Sequence, residues 1–148
     1  MILFLDFDGV THAEPYTPAS AFEKLHLIEA VVREVGCVQI VISSSWREDH
    51  TLDELRCVFS QDLRQLVAGV TPDLWNPEQP IPHLREAECR AWLADHQPHM
   101  DWMAIDDRPK WFAPHCQKLL VTDTTQGFLQ SQQGLLRRML RGMGQRPM

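Results

Sequence analysis

The sequence lacks several features that would point to particular classes of protein. No apolar run approaches the ~20 residues of a membrane-spanning helix, and the short apolar start has no basic leader, so we expect a cytoplasmic protein without membrane association. The four cysteines form no C-x-x-C pair, and the seven histidines show no zinc-ligand spacing. The sequence therefore predicts reduced thiols and no zinc site.

The chain also lacks a basic excess, an internal repeat and a linker. Its net charge of −6 argues against a protein that coats nucleic acid, although a few local arginines could still hold a small nucleic-acid substrate. Its 148 residues, of which 44% are hydrophobic, fit a single domain with a substantial core. We expect this domain to span residues 1–142 and the last six residues, 143–148, to form a flexible tail.

What the sequence does contain is a short apolar run that ends in two carboxylates. Residues 1–10 read M-I-L-F-L-D-F-D-G-V, which is typical of a strand buried on both faces. Asp6 and Asp8 lie two residues apart and so project to one side, and Gly9 allows the chain to turn. Two carboxylates at one strand end favour a bound cation such as Mg²⁺. The alternative is a strand followed by a solvated acidic turn.

Two later apolar runs end in polar residues as well. Residues 37–42 lead into Ser43 and Ser44, whose hydroxyl and backbone N–H groups suit a phosphate oxygen, although Ser44 could instead cap a helix. Residues 102–105 lead into Asp106 and Asp107. Ligands of parallel sheets bind outside the carboxyl ends of the strands, so these residues should converge on the first carboxylate pair. Four carboxylates in one crevice would need a metal.

Hydrophobic periodicity predicts how these runs are connected. Strands are predicted at 1–5, 37–42, 67–70, 102–105 and 118–122, and helices at 20–35, 51–59, 60–66, 83–96 and 130–140. Alternation of strands and helices predicts right-handed crossovers and a parallel sheet between helical layers. Arg85 falls in the first turn of its helix, where the dipole disfavours a cation. It is either directed at an anion or simply solvated.

Taken together, these motifs resemble those of the haloacid dehalogenase (HAD) superfamily. The segment from Asp6 to Val10 matches D-x-D-x-[T/V], V-I-S matches the second motif through Ser43, and I-D-D matches the acidic motif. The local sequence around these motifs is similar to that of the small HAD domains of bacterial RNA-repair proteins. The resemblance implies a three-layer α/β/α Rossmann-like fold with a central parallel sheet. The loops at 11–20 and 71–82 are too short for a sizeable cap domain.

The resemblance also implies a mechanism, in which Asp6 is the nucleophile and Asp8 the general acid and base. Mg²⁺ would be held by Asp6, Asp8 (through its backbone carbonyl), Asp106 and Asp107. The phosphate ligands implied are Ser43, with Ser44 beside it, and Arg85. The superfamily usually has a lysine where this chain has Arg85; Arg47 and Arg64 are weaker candidates for that role.

The expected activity is a Mg²⁺-dependent phosphatase working through an aspartyl-phosphate, acting on nucleotides or polynucleotide ends. The alternatives are a small-metabolite phosphatase and a non-hydrolytic phosphoacceptor or binding subunit. Trp46, Trp75 and Trp111 fall on loops near the predicted site and could stack on a base, with packing as the alternative. Nothing in the sequence decides the oligomeric state.

Overall fold

The computed structural model describes residues 1–142 and holds one sheet of five parallel strands in the order β3-β2-β1-β4-β5. The strands are β1 (Ile2–Leu5), β2 (Gln39–Ile42), β3 (Val67–Val70), β4 (Trp102–Asp106) and β5 (Leu119–Val121). The α-helices are α1 (Leu25–Val35), α2 (Leu52–Arg56), α3 (Leu84–His96) and α4 (Gln133–Leu140). The tail predicted at 143–148 lies outside the described residues.

The central strand β1 is buried on both faces, as its apolar sequence predicts. Because side chains alternate along a strand, Leu3 and Leu5 face the core formed with α1, α2 and α4. Ile2 and Phe4 face a second core that α3 covers. Helices on both faces of a parallel sheet make three layers, so the predicted α/β/α fold without a sizeable cap is confirmed.

Several predicted helix boundaries were wrong, for local reasons. Helix α1 begins at Leu25 rather than at residue 20, since Phe22 has φ 60°, which is incompatible with a right-handed helix. His83, with φ 52°, likewise precedes α3. The helix predicted at 60–66 is a 3₁₀ helix over Gln61–Leu66. Across residues 1–142, every helix is too short or too polar to cross a membrane.

The strand register determines which polar residues meet at the edge of the sheet. Leu5 pairs with Ile42 of β2 on one side and with Ile105 of β4 on the other. The next residue on each strand is therefore placed beside the others, which sets Asp6 between Ser43 and Asp106.

Candidate active site

Three carboxylates form a compact group at the carboxyl ends of β1 and β4. Oxygen atoms of Asp6, Asp106 and Asp107 all lie within 4.8 Å of one another. Asp106 Oδ2 and Asp107 Oδ1 are buried and accept no hydrogen bond from residues 1–142. Buried carboxylate oxygens without partners are costly, and a cation with oxygen ligands would satisfy them. The group therefore fits a divalent metal ion, as the sequence predicts for these three residues.

The electrostatics of this group lead to the same conclusion. Burial, followed by the negative charge of Asp106, raises the pKa of Asp6 well above its ordinary value, although Arg85 opposes the shift. Burial is also the main reason that the pKa of Asp106 is raised to about 7. Positive charge placed among these oxygens would restore the ionised form that a carboxylate nucleophile needs.

Gly9 is the residue that allows Asp107 to reach this position. Its φ of +76° lies in the left-handed region, and a Cβ at this position would stand 2.2 Å from Asp107 Oδ2. That oxygen accepts a hydrogen bond of 2.8 Å from Thr124 Oγ1, and Thr122 Oγ1 donates to the Gly9 carbonyl at 2.7 Å. The loop after β1 and the loop after β5 therefore hold Asp107 between them.

The side chain of Asp8 lies in a different group from the other three aspartates. It is clustered with His12 and Glu14, and its Oδ1 accepts hydrogen bonds from His12 Nε2 at 2.8 Å and Trp46 Nε1 at 2.9 Å. Partial burial, followed by the charge of Asp8, raises the pKa of Glu14. The Asp8 carboxylate thus lines the same cavity as Asp6 and Asp107 but lies outside the close group that Asp6, Asp106 and Asp107 form. Any metal ligand from Asp8 would be its backbone carbonyl, as the HAD resemblance implies.

Arg85 is buried beside the acidic group. Its Nη1 donates to Glu88 Oε1 at 2.9 Å, and its Nε stands 3.8 Å from Asp106 Oδ2. Its guanidinium lies 5.0 Å from the centroid of the Trp111 ring. These contacts hold the cation at the wall of a cavity of about 280 Å³. The cavity is lined by Asp6, Asp8, Glu14, Ser45, Arg85, Asp107, Arg108, Trp111 and Thr124.

The two serines predicted to bind phosphate are placed differently from one another. Ser43 follows β2 next to Asp6, with its N–H donating to the Leu5 carbonyl; it is buried and, like Ser44, is not among the residues that line the cavity. Ser44 caps the following 3₁₀ helix, because its Oγ accepts from the Trp46 N–H, and it does not line the cavity. Ser45, which was not predicted, lines the cavity instead.

The alternative arginines are engaged elsewhere. Arg47 donates to the carbonyls of Ser43 and Ser44 and to Glu88, with its side chain 6% exposed. Arg64 donates to the Phe59 carbonyl away from the cavity. Arg85 is therefore the one of the three candidates that shares a cavity with Asp6.

Besides Ser45, sequence reasoning missed four further residues of the site. They are His12, Glu14, Glu88 and Thr124. Glu88 follows Arg85 by three residues, a spacing that places both on one face of a helix and could have suggested the pair. Thr124 reaches Asp107 from another strand end, and no local pattern indicates that contact.

The tryptophans divide into different environments. Trp46 packs among Phe7, Phe22 and His12 and donates to Asp8, so its ring is in a packed cluster and not on an open stacking surface. Trp111 is half-buried between two guanidinium groups, while Trp75 is 63% exposed.

A comparison of the sequence with models of protein families relates this chain to a known family. A family model described as "HAD domain in Swiss Army Knife RNA repair proteins" matches residues 2–133. The chain belongs to this family. The predicted resemblance is thereby confirmed, and HAD membership supports a phosphohydrolase-type activity in general and the use of a metal ion by the acidic group. No curated protein and no solved structure matches this HAD domain.

Proposed function

We propose that this HAD domain is a Mg²⁺-dependent phosphatase that works through an aspartyl-phosphate and acts on phosphorylated polynucleotide ends. The observation that carries the proposal is the position of Asp6. It lies within 4.8 Å of Asp106 and Asp107, whose buried oxygens lack partners, and it shares a cavity with Arg85. A nucleophile, a cation site and a phosphate-binding arginine are the parts that phosphoryl transfer requires.

Each residue would act on the substrate in a definite way. Asp6 attacks phosphorus, and the electron pair of the cleaved P–O bond leaves with the substrate oxygen. Asp8 donates a proton to that oxygen and later removes one from the water that hydrolyses the aspartyl-phosphate. Arg85 and the Ser43 hydroxyl bind the non-bridging phosphate oxygens. The presence of Asp8 in the lining of the cavity supports this role.

Asp6, Asp106, Asp107 and the Asp8 backbone carbonyl would hold Mg²⁺. When bound, the ion supplies positive charge that reduces the repulsion between the Asp6 carboxylate and an anionic phosphate. The choice of Mg²⁺ among divalent cations is supported by an all-oxygen ligand set.

A polynucleotide end is supported by the surface next to the cavity and by the RNA-repair proteins that the family description names. A second cavity of about 200 Å³ shares Ser45, Arg85 and Trp111 with the first and adds Trp75. The exposed indole of Trp75 offers a stacking surface, and base stacking is worth about 1–3 kcal/mol. Arg108, 4.7 Å from the Trp111 ring, adds positive charge to the lining of the first cavity.

Phosphate release from a panel of esters tests this proposal. The panel contains nitrophenyl phosphate, nucleoside monophosphates, and RNA and DNA oligonucleotides with a 5′ or a 3′ phosphate, each with and without Mg²⁺. We expect Mg²⁺-dependent release that Asp6→Asn abolishes, with an oligonucleotide as the best substrate. Asp101→Asn is the matched control, because Asp101 is exposed at the amino end of β4, away from the site.

The outcomes separate the alternatives. A nucleoside monophosphate or another small ester as the best substrate would favour a metabolite phosphatase. Labelling of Asp6 without turnover would indicate a phosphoacceptor. Equal release by the wild type and Asp6→Asn would refute the assignment of the nucleophile.

A further inference from the structure

One oxygen of Asp8 is fully engaged by two side chains from different loops. Oδ1 accepts from His12 Nε2 at 2.8 Å and from Trp46 Nε1 at 2.9 Å. A carboxylate oxygen offers two lone pairs, and both lone pairs of Oδ1 are used by these donors. Oδ2 is engaged by neither donor, and the Asp8 side chain is 34% exposed at the cavity, which Glu14 also lines. The two oxygens of Asp8 are therefore not equivalent.

The contacts of His12 determine which of its nitrogens carries the hydrogen. Nδ1 accepts from the Phe22 N–H at 3.2 Å, so the hydrogen lies on Nε2, which donates to Asp8. The ring is fully buried against Tyr16 and Phe22, with centroid distances of 4.1 and 5.2 Å. Phe22 directs its N–H at Nδ1 from a left-handed backbone conformation, φ 60°, that an ordinary loop residue avoids. These contacts fix His12 as a hydrogen-bond donor to Asp8.

The indole ring of Trp46, like the ring of His12, is held in place by packing against other rings. Its ring packs edge-on against Phe7 and Phe22, with centroid distances of 5.9 and 5.1 Å, and stacks on His50 at 5.0 Å. It reaches Asp8 from the loop after β2, 38 residues along the chain. The Asp8 carboxylate is therefore held by His12 from the loop after β1 and by Trp46 from the segment after β2.

We infer that His12 and Trp46 are positioning residues that confine the acid–base chemistry of Asp8 to Oδ2; the inference rests on the proposed function. In the first step a carboxylate oxygen of Asp6 forms a bond to phosphorus as the P–O bond to the leaving group breaks; the electron pair of the broken bond stays on the leaving oxygen, which takes the proton of Oδ2. In the second step water attacks phosphorus, its proton moves to Oδ2, and the electron pair of the cleaved bond returns to Asp6.

This role has a kinetic signature that a merely structural role lacks. Dinitrophenolate is a stable leaving group and needs no proton, whereas phenolate needs one. Displacing Oδ2 should therefore slow the hydrolysis of phenyl phosphate far more than that of dinitrophenyl phosphate. A variant that is only less stable would lose the same fraction of activity on both esters. The kcat/KM value of each ester reports on the formation of the aspartyl-phosphate, so comparing the two values compares that step.

The experiment uses Trp46→Phe, which removes the Nε1 donor and keeps an aromatic ring in the cluster. A hydrogen bond to a charged group is worth about 1.5–3 kcal/mol, so we expect kcat/KM for phenyl phosphate to fall about tenfold to a hundredfold. For dinitrophenyl phosphate we expect a fall below about threefold. Trp102→Phe is the matched control, because Trp102 is buried at the amino end of β4. It should lower both values equally, if at all.

His12→Phe gives an independent second variant should Trp46→Phe fold poorly, and it should show the same dependence on the leaving group. Equal losses on both esters in either folded variant, with an active wild type, would overturn the inference and leave the proposed function standing. A wild type that releases phosphate from neither ester, nor from any member of the panel above, would overturn both.

Discussion

Replacing Gly9 by alanine tests whether Asp107 belongs to the cation site. The added Cβ would lie 2.2 Å from Asp107 Oδ2 and 2.7 Å from its Cγ. Ordinary contacts between non-bonded atoms begin near 3.5 Å, so the carboxylate has to move by about 1 Å. That movement would also break its 2.8 Å hydrogen bond with Thr124.

The substitution has two separable effects. Placing alanine at a φ of +76° costs about 1–2 kcal/mol of unfolding free energy, irrespective of the surroundings. Displacing Asp107 weakens metal binding, and changes of this kind typically lower metal affinity by about 10–100-fold. We therefore expect Gly9→Ala to fold with reduced stability and to bind Mg²⁺ about 10–100-fold more weakly than the wild type.

Gly36→Ala is the control that separates the two effects. Gly36 also has a positive φ, +69°, but a Cβ there meets nothing within 4 Å. Chemical denaturation gives the free energy of unfolding of both variants, and isothermal titration calorimetry gives their Mg²⁺ affinity. Gly36→Ala should lose stability and bind Mg²⁺ like the wild type. Unchanged Mg²⁺ affinity in Gly9→Ala would refute the assignment of Asp107 to the cation site.

Three further predictions follow from the same geometry. Because the folded-state pKa of Asp106, about 7, exceeds its unfolded value of about 4, the contribution of this group to the stability of the Mg²⁺-free protein should be fully present below about pH 4 and fall by about 3 kcal/mol as the pH rises to 7. Asp6 acts in the same direction, and a melting temperature that falls on mild acidification would contradict this. Glu88→Gln should cost about 3–5 kcal/mol in urea denaturation, since it removes the carboxylate charge that buried Arg85 and Arg47 share; a loss below about 1 kcal/mol would contradict that. Trp75→Ala should leave stability within about 0.5 kcal/mol, yet raise KM at least about fivefold for oligonucleotides and not for nitrophenyl phosphate.

Much of the fold could be predicted because its signals are local. Five short apolar runs separated by helical periodicity indicate a parallel sheet, and the position of each polar residue after its strand indicates the edge where the site lies. The predicted helix boundaries were wrong where the backbone conformation departs from the one that the residue type favours. Phe22 and His83 have positive φ angles, which no pattern of apolar residues reveals.

What the sequence by itself determined is the set of residues at the carboxyl ends of the strands: Asp6, Ser43, Asp106 and Asp107. Only the tertiary structure decided which of them act together. It placed the Asp8 side chain outside the close group of Asp6, Asp106 and Asp107, and it assigned Ser44 to a helix cap. The reason is physical: strand alternation and chain order are encoded within a few residues. The partners of Asp8 and Asp107 come from loops up to 38 residues away and meet only when the sheet forms.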